Sequence, residues 1–278
     1  MRRWVLIGVL LLVSLAAAPA ALAATQTASL GNVSATFSFS GSFSSGYTGE
    51  RLTISRAGAV AYDQPVSSRF CYTACAPGAL SANGPSVHVL DLEHNGEPDV
   101  VLDLFSGGAH CCSIEQVFSF DGATRTYVET QRNFGDPGDR IVDLGHNGRF
   151  EFLTADDSFA YEFTDYAASG MPIQILTFSG RRFRDVTRSY PKLITGDAAN
   201  WLTTFKRLSN KHYQDSVGVI AAWAADEDLL GHQRLVSRYL AQQARAGHLN
   251  SSLSPQDPGG KRFVANLQRF LRKHGYLR

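Results

Sequence analysis

After its first two dozen residues the chain has no apolar run approaching the roughly 20 residues that a bilayer-spanning helix needs. No transmembrane helix is therefore expected beyond the N-terminal segment. Catalytic signatures are missing as well: there is no G-x-S-x-G elbow, no H-E-x-x-H pair and no glycine-rich phosphate loop. An enzyme would have to assemble its site without a recognisable motif, and the balance leans against catalysis. Nothing matches a nucleic-acid-binding module. Neither charge is in surplus, since 26 basic residues face 25 acidic ones, so net charge selects no partner. Cysteine is scarce, at four residues.

What is present begins with Arg2 and Arg3, an apolar stretch starting at Trp4 and a small-residue box at Ala21-Leu22-Ala23. This is the layout of a secretory signal peptide over residues 1–23, with an uncleaved anchor as the alternative. The expected location is secreted or extracytoplasmic. Export favours disulfides at Cys71, Cys75, Cys111 and Cys112 over thiol chemistry or zinc. Of the three pairings, cross-links between the Cys71/Cys75 loop and the Cys111/Cys112 turn are favoured, because local bridges would close very small loops. Charge is uneven along the chain. Residues 24–196 carry 12 basic and 19 acidic side chains, and residues 197–278 carry 12 basic and 6 acidic. The acidic part suits cation binding. The basic part can dock on it or meet an anionic surface, and two ordinary solvated surfaces are the alternative.

The stretch SATFSFSGSF alternates Phe with Ser, the period of a half-buried strand. Hairpins are expected around Ala57-Gly58, Asp121-Gly122 and Ser179-Gly180. Two further hairpins form an internal repeat: VHVLDLEHNGEPDVVLDLF aligns Asp91, Asn95, Gly96 and Asp99 with Asp143, Asn147, Gly148 and Glu151. A degenerate third unit lies near residues 52–66. Repeats of this length suggest propeller-like blades, but two clear units are too few to close a ring, so a partial, stacked or sandwich-like arrangement is expected. After Pro191 the apolar spacing becomes helical: Trp201, Phe205 and Leu208, then Val217, Ile220, Ala221 and Ala224, then Leu229, Val236, Tyr239 and Leu240, then Phe263, Leu267, Phe270 and Leu271. Asp226-Glu227-Asp228 is read as the start of the third helix. The expected fold class is mainly β, with propeller-blade-like or sandwich-like hairpins over residues 24–195 and a C-terminal α-helical subdomain over 196–278.

The first repeat loop sets Asp91, Glu93 and Asn95 at alternate positions before Gly96, with the Glu97 backbone carbonyl and Asp99 following. Such oxygen donors around a sharp turn suit a hard cation. It is no EF-hand, because the closing position falls on Leu102 and the flanks are strands. The strand–DxDxDGxxD–strand pattern resembles FG-GAP and VCBS-type repeats of secreted proteins. That resemblance, over roughly residues 87–180, implies calcium held by Asp91, Glu93, Asn95, Glu97 and Asp99. A second, weaker loop would use Asp143, Asn147 and Glu151, since Gly145 removes one ligand. The alternative is an Asx-stabilised turn that keeps the shape without metal. The segment SGGAHCC pairs Cys with His but offers no orienting third group.

The chain therefore reads as a secreted, non-catalytic, calcium-stabilised binding or cell-envelope protein, with an unknown protein or cell-surface ligand as partner. The rival is a secreted hydrolase with its site at the junction of the β and helical parts. Perturbed carboxylates in a deep polar cleft there would favour the enzyme. Exposed aromatic residues clustered on one edge would argue against a purely structural role.

Overall fold

The computed structural model describes residues 23–42, 44–71, 75–78, 84–209, 216–249 and 259–277. The expected signal peptide, apart from Ala23, and most of the NSSLSPQDPGG linker lie outside the described residues.

Three antiparallel sheets follow one another along the chain. The first contains β1 (Ala23–Leu30), β2 (Val33–Ser42), β3 (Gly46–Arg56) and β4 (Ala59–Pro65) in sequential order. The second contains β5 (Ala76–Pro77), β6 (Val87–Leu90), β7 (Asp99–Phe105), β8 (Ser113–Asp121) and β9 (Thr126–Gly135), with β5 and β6 both pairing β7. The third is a meander of β10 (Asp139–Val142), β11 (Glu151–Ala155), β12 (Ile173–Phe178) and β13 (Phe183–Asp185). Residues 52–66, where a degenerate third unit is expected, fall in β3, β4, the turn between them and the residue that follows, within a four-stranded sheet that begins at Ala23. Its hairpin at Ala57-Gly58 has positive φ at both positions, 49° and 80°. That geometry matches the twist of the flanking strands.

The sheets stack face to face without closing. Alternate residues of β2 and β3 (Ala35, Phe37, Leu52, Ile54) meet Leu102, Leu104, Ile114 and Phe118 of the second sheet. On the other face of the second sheet, Val101, Val117 and Phe134 meet Phe152, Leu176 and Phe178 of the third. The second sheet is therefore covered on both faces, and every position of β7 is buried. This is why DVVLDLF runs apolar almost throughout instead of alternating.

Four helices follow: α1 (Pro191–Ser209), α2 (Val217–Leu229), α3 (Gln233–Arg245) and α4 (Gly260–Lys273). Proline at the first position of α1 fits, because no intrahelical donor is needed there. α2 is buried from Val217 to Asp226. The connection from β11 to β12 crosses over to the helices and seats Phe159 and Phe163 among Phe263, Phe270 and Tyr276. On α4, Phe263, Leu267, Phe270 and Leu271 are buried, and Lys261, Arg262, Arg269, Arg272 and Lys273 face solvent. Gly275, at φ 81°, ends that helix. No helix among the described residues is long and apolar enough to cross a membrane.

Two expectations need correction. Asp226-Glu227-Asp228 and Leu229 end α2 and do not belong to the next helix, which begins at Gln233. The run VGVIAAWAA is apolar on every side, so nothing in its pattern marks where it stops. The disulfides are also local, Cys71–Cys75 and Cys111–Cys112, and not cross-linked. Each pair sits on its own turn, and the bridges tie no two loops together.

Candidate functional site

The two repeat loops fold alike. Asp91 accepts from the backbone N–H groups of Asn95 (2.9 Å) and Gly96 (2.8 Å), and the Asn95 side-chain oxygen accepts from Glu97 N–H. Asp143 and Asn147 repeat these bonds with Asn147, Gly148 and Arg149. The Gly148 N–H, first among several donors, holds the Asp143 carboxyl below its usual range. His94 and His146 take positive φ in matching positions, and Gly96 and Gly148 follow them at 84° and 83°. The shared Asp, Asn and Gly thus first serve as Asx caps that fix the turn.

The remaining first-loop carboxylates reach outward. Glu93 accepts from Gly180 N–H (3.1 Å) and the Ser179 hydroxyl (3.2 Å) on the β12–β13 turn. Glu97 makes a two-point pair with Arg56 at the end of β3. The His94 ring fills the space beside Gly148 that a side chain there would occupy. Asp99 alone stays inside, and burial with neighbouring Glu93, Asp91 and Glu97 pushes it up to about 7. Glu151, its counterpart, is buried and accepts from Leu144 N–H. Burial, then the Glu151 carboxylate, pushes Tyr190 up to about 12. Among the described residues no group of three or more acidic, histidine or cysteine side chains is arranged to hold a metal ion. The oxygens left for a cation in loop one are the spare lone pairs of Asp91 and Asn95, the Glu97 carbonyl and Asp99. That is the hard-oxygen chemistry calcium takes.

A different cluster lies at the opposite end of the same strands. Along the face of β7 and β8 that meets the third sheet, Asp103 and Glu115 are direct cross-strand partners, next to the pair Val101 and Val117. Asp139 at the start of β10 completes the group. All three are buried, at 0%, 0% and 5% exposure. Glu115 is hydrogen-bonded to Asp139 within the group. Burial, then Asp139 and Asp103, hold its carboxyl well above the usual range. Asp103 and Asp139 line a cavity of about 400 Å³ together with Leu104, Phe105, Cys111, Ser113, Asp136, Arg140 and Leu153. Gly78 lines it too, and a side chain there would run into the Asp103 carboxylate. The legible signal was an acid in the core-facing phase of an otherwise apolar strand, Asp103 within VVLDLF, which turn-centred reasoning passed over.

Beside Cys111, His110 stacks on Tyr166 with centroids 3.9 Å apart, and Tyr161 stands 5.5 Å from Tyr166. His110 is exposed and Tyr161 is 59% exposed. Both hold positive φ, 61° and 60°, uncommon for bulky residues.

The junction between the third sheet and the helices has a second cavity, about 470 Å³, lined by Asp156, Arg188, His274 and Tyr276 among others. Its polar groups are largely engaged with one another. Tyr276 donates to Asp156 at 2.7 Å, and Arg188 donates to the Leu229, Gly275 and Tyr276 carbonyls. Nearby, burial and then the Asp197 carboxylate push Asp226 up to about 10, and burial raises Asp228 to about 7. Asp197 accepts from Ile173 N–H and the Trp201 ring N–H.

No known protein family matches the chain, and no solved structure matches it. It is 26% identical over 137 residues to an uncharacterized protein of Sinorhizobium fredii, covering 49% of this chain and 21% of that protein. It is 29% identical over 149 residues to a probable thylakoid lumen protein of Synechocystis, covering 52% of this chain and 44% of that one. The chain thus spans under half the length of the curated relatives it matches.

Proposed function

We propose that this is an extracytoplasmic, non-catalytic binding protein built on FG-GAP/VCBS-like hairpins and steadied by calcium at the first repeat loop. The observation that carries the binding reading is the solvent-facing cluster of His110, Tyr161 and Tyr166 beside the rim of the acid-lined cavity. His110 and Tyr161, exposed on unfavourable backbone beside the half-buried Tyr166, argue against a purely structural role. The basic n-region and apolar N-terminus, together with the relative named for the thylakoid lumen, support the location. Calcium is supported by the repulsion among Asp91, Glu93, Glu97 and Asp99, which a divalent ion would offset. To join a ligand set, Glu93 would have to release Ser179 and Gly180. The second loop, with Glu151 already engaged, is the weaker site.

The test is titration of the folded protein, and of Tyr161→Ala and Tyr166→Ala, with neutral oligosaccharides, anionic oligosaccharides and small amines, followed by tyrosine fluorescence. Saturable binding that either substitution weakens about tenfold, about 1.4 kcal/mol, is the expected result. A folded protein that binds no member of the panel contradicts the reading.

A hydrolase at the junction is the second reading, favoured by the buried pair Asp226, beside Asp197, and Asp228, beside Arg188. It predicts turnover lost in Asp226→Asn, whereas the binding reading predicts that this substitution leaves ligand affinity unchanged.

A further inference from the structure

We propose that the cavity walled by the end of α2, by α3 and by α4 takes a primary ammonium group on an apolar stem, anchored by Asp228. The inference makes no use of the aromatic cluster and goes beyond the binding reading above. Asp228 lines this cavity of about 350 Å³, which falls within the roughly 300–1,000 Å³ of small-molecule sites. The residue is 1% exposed, and no described residue donates a hydrogen bond to its carboxylate. A carboxylate buried without a donor is costly, and the cost falls when a donor or an opposite charge arrives. Burial accordingly pushes it up to about 7, with the Arg188 charge opposing the shift and Glu227 adding to it.

The charged neighbours of Asp228 are engaged elsewhere. Arg188 donates to the Leu229, Gly275 and Tyr276 carbonyls, and Glu227 pairs with His232. A donor for Asp228 can therefore come from the cavity. Asp228 stands in the last turn of α2, where the helix dipole is negative and a cationic donor gains over a neutral one. An ammonium also brings three N–H groups to one carboxylate. Val236, Leu240 and Leu271, all buried, supply apolar wall for a stem. Arg272, the one cation of the described lining, is exposed, where salt and water screen its repulsion.

The experiment is calorimetric titration of the folded full chain with n-pentylamine and with 1-pentanol, which has the same stem without the charge. The inference expects pentylamine to bind with a dissociation constant of about 1 mM or tighter, and pentanol to bind at least about tenfold more weakly. Asp228→Asn should weaken pentylamine about tenfold, and Tyr161→Ala should leave it unchanged. Should Asp228→Asn fail to fold, Ser237→Trp, at an exposed position of the lining, should abolish binding by filling the cavity. Equal binding of the two probes overturns the cation class. Pentylamine binding that Tyr161→Ala weakens and the cavity variants leave intact belongs to the aromatic cluster. That outcome overturns this inference while the binding reading stands. No pentylamine binding, with an oligosaccharide bound at the aromatic cluster, has the same meaning, and binding of no probe at all overturns both.

Discussion

The Glu93 carboxylate accepts from the Gly180 backbone N–H at 3.1 Å, across 87 positions of sequence. Glu93 belongs to the second sheet's leading loop and Gly180 to the last turn of the third. Together with Arg56–Glu97, which reaches back to the first sheet, this bond makes the loop a clasp on all three sheets. Glu93→Ala should lower unfolding free energy by about 0.5–1.5 kcal/mol, because it removes two charge-assisted bonds, one of them part-buried. Glu97→Ala should cost less, about 0–1 kcal/mol, because the pair is partly exposed. Urea denaturation measures both, and equal, negligible effects would remove the clasp.

Calcium should raise thermal stability. Extracellular sites bind at about 10⁻⁴ to 10⁻³ M, and a 100-fold excess over the dissociation constant adds about 2.7 kcal/mol. A melt in chelator and across a calcium titration should therefore shift by roughly 5–10 °C, and Asp91→Ala with Asp99→Ala should abolish the shift. Calcium should also make Glu93→Ala less damaging, since the ion competes with Ser179 and Gly180 for that carboxylate. A flat titration would leave both loops as Asx-capped turns.

The raised carboxyls set the pH dependence. Asp226 and Asp99 sit at about 10 and about 7 when folded, against 3.8 ordinarily. Over each interval the folded state holds a proton that the unfolded chain has lost, so stability falls as pH rises from about 4 to each folded value. Asp226→Asn should leave the protein as stable as the parent near pH 4 and more stable in the alkaline range. Asp99→Asn should flatten only the part between about 4 and 7. Melting temperature across pH, in the absence of calcium, reads both. A parallel pH profile for parent and variants would contradict the assignment.

Gly218 allows α2 to lie directly on the third sheet's connection, where an added side chain would strike the Ala168 carbonyl oxygen and the Thr164 methyl. Gly218→Ala should destabilise by about 1–3 kcal/mol, despite the better helix propensity of alanine. A neutral or stabilising result, measured by denaturant, would show that α2 can shift on the sheet.

The β hairpins, the Asn-Gly turns and the apolar helix faces were legible because each rests on local chemistry: alternation, turn residues and spacing of three and four. Asp91 with Asn95, and Asp143 with Asn147, carried their turn geometry in the sequence. Where Glu93 and Glu97 would point did not, since Gly180 and Arg56 are brought near only by the stacking of sheets. The acid cluster stayed hidden for the same reason. Asp103, Glu115 and Asp139 are spread over 36 positions and meet only once β7, β8 and β10 face one another. Disulfide partners, likewise, are not written in local spacing: all four cysteines pack into one core cluster, yet each bonds within its own turn.

The most direct measurement is an assigned amide NMR spectrum of the folded protein recorded with and without the tightest binder from the probe panel. Binding at the aromatic cluster predicts saturable shifts at His110, Cys111, Tyr161 and Tyr166, with Asp156, Arg188 and Tyr276 unmoved. Shifts confined to those three junction residues, accompanied by chemical change of the probe, would contradict the binding account and place the activity where the helices meet the third sheet.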